Sequence, residues 1–392
     1  MISFNVPPVV GTELEYIRQA LESKKISGDG EFTKRCRKFM QERFNAPHVL
    51  LTTSGTSALD MACLLCEFRR GDEVILPSYT FSSTANSVIL TGATPVFVDI
   101  RPDTMNIDEA KIEAAITDRT RAIMVVHYAG VSCEMDTVMD IARRYGLKVI
   151  EDAAQAVMCT YKGRYLGTIG DYGCYSFHET KNYSMGEGGA LLVNRDGDLE
   201  RAEILREKGT NRSKFFRGQI DKYTWVDFGD SYLPSEINAA YLWAQLEKIE
   251  EIYDDRMRSY KRYAEAFAPL VEQGVIEVQT IPEKCVHNAH MFYLKLRHLA
   301  QRTAFIDHMK SRGISAVFHY VPLHSAPAGL RYGRFNGEDV YTTVESERLV
   351  RLPMYYGLTE EDQDEVIRAV TDFFDLRNRY DLSSEADFGK DK

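Results

Sequence analysis

Lys148-Val149-Ile150-Glu151-Asp152-Ala153-Ala154-Gln155 is a short apolar run that closes on two carboxylates and then on small residues. Such a run reads as a strand buried on both faces inside a parallel sheet. Asp152 then stands at the strand's C-terminal end, where open α/β sheets place their ligands. Upstream, similar runs alternate with helical patterns: Val49-Leu50-Leu51, Glu73-Val74-Ile75-Leu76, Pro95-Val96-Phe97-Val98 and Ala122-Ile123-Met124-Val125-Val126. The alternation marks βαβ units and predicts an α/β fold with a large, mostly parallel sheet covered on both faces. Downstream, Gly173-Cys174-Tyr175-Ser176-Phe177 and Ala190-Leu191-Leu192-Val193 are further strand candidates flanking Lys181, separated by the turn residues Gly186-Glu187-Gly188-Gly189.

The chain's 392 residues leave room for a second, smaller lobe with its own core. Residues 209 to 233 are polar, aromatic and basic without periodicity, and a loop of that length is functional or interfacial more often than passive. From Ser235 one long helical stretch is expected, bridging the lobes, with Ala239, Ala240, Leu242, Trp243, Leu246 and Ile249 near i, i+3, i+4 spacing. The C-terminal third carries strand candidates at 291–296 and 315–320 and helix candidates near 301–312 and 360–375. The expected division is a large α/β domain over 1–250, a small α+β domain over 251–378, and a disordered polar tail over 379–392.

A composition of 44% hydrophobic and 27% charged residues is that of a globular protein, and a net charge of -10 opposes general binding to nucleic acid or an anionic membrane. No apolar stretch approaches the roughly 20 residues needed to span a bilayer, and Met1 to Pro8 lack the basic and apolar regions of a secretion signal. A cytoplasmic location is therefore expected. Seven scattered cysteines favour reduced thiols over a disulfide framework, and Cys63-Leu64-Leu65-Cys66 has no second pair to make a zinc site. His319 and His324 likewise lack a spaced third ligand, so no metal is expected.

The second decisive stretch is Ser176-Phe177-His178-Glu179-Thr180-Lys181-Asn182-Tyr183. A buried-strand carboxylate followed by a hydroxyl and a lysine is what pyridoxal 5'-phosphate requires: a counter-charge for its ring nitrogen, a phosphate ligand, and an amine to hold its aldehyde. Alone, Asp152 could be a capping carboxylate and Lys181 a solvated surface lysine. Lys181, however, falls in a turn between two sheet elements, where desolvation can keep its amine neutral for part of a cycle. Thr53-Ser54-Gly55-Thr56-Ser57-Ala58 follows a strand and opens a helix, so Gly55 and Thr56 are candidates for a phosphate cup, with Ser176 adding a hydroxyl. An ordinary helix cap explains the same residues. Phe81 could stack on the cofactor ring or pack in the core. Gln155 could reach the cofactor's phenolic oxygen or close a turn, and His178, His319 and His324 divide between substrate contacts and structural hydrogen bonds.

Together these residues resemble the DegT/DnrJ/EryC1/StrS group of sugar-nucleotide aminotransferases, from Ile2 to about Phe374. The resemblance is carried by Ser54-Gly55-Thr56-Ser57-Ala58, Glu151 to Gln155, Ser176-Phe177-His178 with Lys181-Asn182, Gly188-Gly189, Ala239-Ala240 with Gln245-Leu246, and His319-Tyr320 with Pro322 and His324. It implies the fold-type I, aspartate-aminotransferase-like architecture and a homodimer with active sites at the subunit interface. Glutamate is the implied amino donor and a 4-keto-6-deoxy sugar nucleotide the acceptor. Stretches such as Asn5 to Leu14, Arg101 to Glu109, Gly209 to Ser213 and Asp221 to Trp225 are most similar to the branch making dTDP-4-amino-4,6-dideoxygalactose, in pathways such as enterobacterial common antigen or O-antigen synthesis.

The resemblance also implies roles. Lys181 is the implied catalytic residue; Gly55, Thr56, Phe81, Asp152, Gln155 and Ser176 are implied cofactor contacts; and Tyr183, His319, Tyr320 and His324 are implied substrate contacts. Arg217 and Lys222 are candidates for holding the diphosphate. Where the family carries Gly-x-Asn, this chain has Gly229-Asp230-Ser231, which puts Ser231 at the position reaching the partner subunit's phosphate. Three rivals stay open: a transaminase acting at C3 or on a UDP-linked sugar, a sugar dehydratase, and a non-catalytic regulator. The dehydratases of this group replace the lysine with histidine, whereas this chain keeps Lys181.

Overall fold

The computed structural model describes residues 1–387, with side chains described to Asp375. Its centre is an eight-stranded sheet in the order His48–Thr52, Gly189–Val193, Tyr172–Ser176, Lys148–Asp152, Thr120–Val126, Glu73–Pro77, Thr94–Val98 and Arg334–Phe335. All neighbours from Tyr172–Ser176 to Arg334–Phe335 pair in parallel, and Gly189–Val193 alone runs against the rest. Successive side chains of a strand point to opposite faces, and here both faces are apolar. Val49, Leu51, Ile75, Ile123, Val125 and Val149 join the core on one side, while Leu50, Val74, Leu76, Met124 and Ile150 join the core on the other. Helices such as Gly55–Leu65, Ser82–Leu90 and Met135–Tyr145 cover those faces, as parallel crossovers require.

The central strands fall where the apolar runs predict them, within a residue or two at each end, whereas the candidates at 291–296 and 315–320 shrink to Tyr293–Lys295 and Val317–Phe318. Arg334–Phe335 was not predicted: two residues are too short for a period-2 signal, yet they extend the sheet beside Thr94–Val98. The helix expected from Ser235 is in fact two, Glu236–Glu247 and Ile249–Glu272, broken where Lys248 leaves helical geometry (φ -110, ψ 22). Glu236 also anchors the chain's beginning. Its buried carboxylate accepts the amides of Gly30 (2.9 Å), Phe32 (2.8 Å) and Thr33 (3.1 Å), capping the positive end of the helix Glu31–Phe44.

A second, antiparallel sheet joins Glu277–Val278, Tyr293–Lys295, Leu349–Arg351 and Val317–Phe318. The helices Ile249–Glu272, Leu299–Ser311 and Glu360–Asp387 pack with it around Tyr263, Phe267, Phe292, Phe305, Val366 and Val370. Ile2 belongs to this core, held through its amide to the Gly313 carbonyl at 2.8 Å. The last helix runs on to Asp387, into the stretch expected as a disordered tail from 379, and 388–392 lie outside the described residues. The loop 209–233 contains a short helix, Arg212–Phe216, and a bridge between Thr210 and Trp225. No described helix is long and apolar enough to cross a membrane.

Candidate active site

A cleft of about 440 Å³ opens at the carboxyl ends of the central strands. Val126, Asp152 and Ser176 reach it from three adjacent strand ends, Gly55 and Thr56 from a helix start, Lys181 from the turn after Ser176, and His290, His319, Tyr320 and Arg351 from the second lobe. The position is the one that crossover topology creates in a parallel sheet.

Asp152 is buried, with its Oδ2 accepting from Thr84 Oγ1 at 2.8 Å and its Oδ1 from the Ala154 amide at 3.2 Å. Burial pushes its carboxyl above the ordinary range, against the pull of Thr84, the Ala154 amide, Lys181 and His127. It makes no ion pair among the described residues, so its charge lacks the cation that would offset desolvation. Glu151, one residue earlier, faces the opposite way. It accepts the amides of Gly167 (2.8 Å), Ile169 (2.7 Å) and Gly170 (2.6 Å) and pairs with His127 Nε2 at 2.9 Å. Because the Cys133 amide donates to His127 Nδ1 at 3.2 Å, the ring proton sits on Nε2 and points at Glu151. Burial opposes ionisation of Glu151, but His127 and the amides outweigh it and hold its carboxyl below the ordinary range.

Lys181 lies in a turn fixed on both sides. Its amide donates to the His178 carbonyl at 2.9 Å, while the Asn182 side chain donates to the Asn288 carbonyl at 2.8 Å and accepts from His290 Nδ1 at 2.8 Å. The lysine amine has no hydrogen-bond or ion-pair partner among the described residues. Desolvation brings its ammonium down to about 8, opposed by Asp152 and assisted by Arg351. A partnerless amine facing an uncompensated buried carboxylate matches the donor set that the sequence predicts for pyridoxal phosphate.

The anion end of the cleft is equally well formed. Ser54 caps the helix Gly55–Leu65 by accepting the Ser57 amide at 3.0 Å, and Thr56 Oγ1 lies 2.7 Å from Ser83 Oγ. A Cβ on Gly55 would sit 2.8 Å from the Ser176 Cβ, and one on Gly189 would sit 2.5 Å from the Ser54 carbonyl oxygen. Only hydrogen at both positions lets the helix start, the strand end and the returning strand approach so closely. Exposed amides and hydroxyls at a helix start suit a phosphate.

Phe81 lies on the cleft wall, with its ring centroid 6.2 Å from that of Tyr320. Gln155 accepts the Ala129 amide at 2.6 Å and donates to the Tyr320 hydroxyl at 3.3 Å. His319 Nδ1 meets the Tyr128 hydroxyl at 3.0 Å, and both His319 and Tyr320 line the cleft. Five predicted contacts stand elsewhere. Tyr183 is core, 1% exposed, its hydroxyl donating to the Ile249 carbonyl at 3.1 Å, because the chain turns inward just after the lysine. His324 sits outside the cleft wall, bonded through Nδ1 to Ser78 Oγ at 2.7 Å and facing Asp339 at 3.2 Å. Arg217 is committed to Glu203 through two 2.8 Å bonds, and Lys222 is exposed, away from the cleft. Ser231 also stands apart from this chain's own cleft, bridged to Glu207.

Sequence reasoning missed Thr84, His290 and Arg351. Thr84 carries no signal, because a threonine inside a helix is ordinary. Arg351 did leave one: a lone charge in the apolar run Leu349-Val350-Arg351-Leu352.

The family model described as the DegT/DnrJ/EryC1/StrS aminotransferase family matches residues 9–371. GDP-perosamine synthase from Caulobacter vibrioides is 35% identical over 380 residues, covering 94% of this chain and 97% of the relative. Among solved structures, the aminotransferase TlmJ from Streptoalloteichus hindustanus superposes with a TM-score of 0.88 at 26% identity, over 96% of this chain and all of that one (100%). The sugar aminotransferase Spr1654 from Streptococcus pneumoniae, in its PLP form, gives a TM-score of 0.85 at 25% identity, covering 95% of this chain and 98% of that one.

Proposed function

The chain belongs to the DegT/DnrJ/EryC1/StrS aminotransferase family and is a pyridoxal-phosphate-dependent sugar aminotransferase; from that premise we propose that it moves the amino group of L-glutamate onto C4 of dTDP-4-keto-6-deoxy-D-glucose. The product is dTDP-4-amino-4,6-dideoxy-D-galactose, a precursor for surface polysaccharide, made in the cytoplasm by a homodimer. The observation that carries the transamination reading is the partnerless, desolvated amine of Lys181 opposite Asp152. The sugar is read from the stretches around Asn5, Arg101, Gly209 and Asp221.

When bound, pyridoxal phosphate supplies a ring that accepts the electrons left as a substrate carbon loses its proton, and it carries nitrogen from one substrate to the other. The chain's residues do the rest. Asp152, steadied by Thr84 and the Ala154 amide, would face the ring nitrogen and favour positive charge there. Ser54, Gly55, Thr56 and Ser176 would take the phosphate, and Phe81 and Gln155 would line the ring. Lys181 Nζ would hold the cofactor between turnovers and, when released, would take the proton from the α-carbon of glutamate. In the second half-reaction the same nitrogen delivers a proton to C4 of the sugar, and the face it reaches sets the configuration of the new amine. Glu151 and His127 touch neither substrate; they fix the backbone from which Asp152 projects.

The test is incubation with glutamate and a panel of dTDP-, UDP- and GDP-linked 4-keto and 3-keto sugars, with the products assigned by NMR. Turnover confined to the dTDP-linked 4-keto sugar, with an axial C4 amine, supports the reading. Preference for another base or for C3 overturns it.

A further inference from the structure

His290 brings to the cleft a ring nitrogen with nothing to accept. Asn182, the residue after Lys181, gives its side-chain N–H to the Asn288 carbonyl at 2.8 Å, which leaves its Oδ1 facing the imidazole. That oxygen can only accept, so the proton of the neutral ring sits on His290 Nδ1, 2.8 Å away. Burial holds the ring neutral, and Lys181, Arg256 and Arg351 push the same way. Nε2 is therefore a bare lone pair, with no hydrogen-bond or ion-pair partner among the described residues.

The backbone behind the ring is pinned from several directions. Arg256 donates to the carbonyls of Ala289 (3.1 Å) and His290 (2.7 Å), and Asn288 donates to those of Gln155 (3.0 Å) and Val157 (2.8 Å). His290 lines the cleft beside Lys181, where two other acceptors are already engaged. Asp152 takes Thr84 and the Ala154 amide, and the Gln155 oxygen takes the Ala129 amide. A desolvated lone pair without a donor has lost its hydrogen bond to water, so a bound molecule that brings an O–H there is favoured. Glutamate has no hydroxyl, its carboxylates only accept, and its nitrogen is consumed in the reaction. A sugar offers O–H groups, and one of them stands on the carbon beside the carbonyl that must meet Lys181.

We infer that His290 Nε2 accepts the hydroxyl on the carbon next to the reacting carbonyl of the sugar. The inference rests on the reading that a keto sugar takes the nitrogen. His290 is then a specificity-determining residue for one half of the reaction, reading an O–H that the amino donor lacks.

The experiment is calorimetric titration of the holoenzyme before glutamate is added, when it has no nitrogen to transfer and sugar binding is measured without turnover. The ligands are dTDP-4-keto-6-deoxyglucose and its 2-deoxy and 3-deoxy analogues. Wild type should bind the 3-deoxy sugar about tenfold more weakly than the parent, the scale of one hydrogen bond to a desolvated group, and the 2-deoxy sugar within about threefold. His290→Asn, whose amide N–H stands at the δ position and keeps the bond to Asn182, should lose about tenfold on the parent sugar and cease to distinguish the 3-deoxy analogue. His290→Gln, whose carbonyl oxygen can stand where Nε2 was, should recover part of that affinity although it gives up the bond to Asn182. The glutamate half-reaction, followed by cofactor absorbance, should change by less than about threefold in His290→Asn. Nitrogen NMR of histidine-labelled holoenzyme, with the His290 signal identified by its loss in His290→Asn, should show the proton on Nδ1. Equal wild-type affinity for parent and 3-deoxy sugar, a proton on Nε2, or equal losses in both half-reactions overturns the inference. So does His290→Asn outperforming His290→Gln, the order that a purely structural ring would give. A wild type that glutamate converts but no keto sugar discharges sinks the sugar reading itself, so the two failures are distinguishable.

Discussion

Thr84 Oγ1 donates to Asp152 Oδ2 at 2.8 Å, and it is the only side chain hydrogen-bonded to that carboxylate among the described residues. The hydroxyl lies within 2.7 Å of Thr80 Oγ1 as well, so a short chain of threonines on the helix and its approach holds the carboxylate in one orientation. Removing one hydrogen bond to a charged group costs about 1.5–3 kcal/mol. Thr84→Val should therefore lower kcat/KM by roughly 10- to 100-fold. Asp152→Asn, which removes the charge itself, should abolish measurable turnover. Steady-state kinetics with glutamate as donor would check both, and a Thr84→Val enzyme with full activity would mean that the ring nitrogen does not depend on this carboxylate's orientation.

Lys181 should govern how the apoprotein takes up its cofactor. The reactive form is the neutral amine, and desolvation lowers the ammonium from its ordinary value to about 8. The rate of covalent attachment should thus rise with pH through about 8 and level off well below the range of an exposed lysine. The sign of the stability effect follows: between the folded and unfolded values the unfolded chain binds more protons, so this group makes the apoprotein gain stability as pH rises above about 8. Replacing it with Met should stabilise the apoprotein at neutral pH while eliminating turnover. Stopped-flow absorbance and thermal melts of the apoprotein would measure these effects, and borohydride reduction followed by mass spectrometry should find the cofactor attached at Lys181 only in the wild type.

Gly189→Ala should damage the phosphate end without touching the lysine. The added Cβ would meet the Ser54 carbonyl oxygen at 2.5 Å, and a backbone atom in a helix cap cannot step aside. We expect weaker retention of pyridoxal phosphate, roughly tenfold or more by equilibrium dialysis, from displacement of the helix start. Gly186→Ala, nearby in the same turn, has open space around its Cβ; its left-handed backbone (φ 78) should cost about 1 kcal/mol of stability and leave cofactor affinity unchanged.

Glu236→Ala should be the most destabilising single change away from the cleft. It would strand the amides of Gly30, Phe32 and Thr33 inside the protein. A loss of about 3 kcal/mol, read from the shift of the urea midpoint, is expected. Glu236→Gln, which keeps one acceptor oxygen, should lose less.

Much of this was legible in the chain itself, for reasons that differ by residue. Strand ends such as Asp152 announce themselves because a buried run must stop where a polar group appears. Lys181 was readable because a cation between two apolar strands demands a purpose. What escaped notice was set by distant packing. Thr84 and Asp152 are brought together by a crossover, His290 is oriented by Asn182, more than 100 residues away in the chain, and Arg351 reaches the cleft from a strand of the second sheet. Tyr183, a contact implied by the resemblance, is core instead, because the chain turns inward after the lysine and its hydroxyl donates to the Ile249 carbonyl. The break at Lys248 was invisible because apolar spacing continues smoothly across it.

The reversed strand Gly189–Val193 bears on how the molecule acquires its reactive nitrogen. It pairs antiparallel with Tyr172–Ser176, register running from Tyr172 opposite Val193 to Ser176 opposite Gly189, so the lysine turn is the tip of a local hairpin. Ser176 and Gly189 lie 13 positions apart, whereas Asp152 and its partner Cys174 lie 22 apart, so the connection that carries the lysine is the shorter one to close. The amine is therefore carried on the tighter of the two connections, and Asn182 then ties that tip to Asn288 and His290 more than 100 residues away.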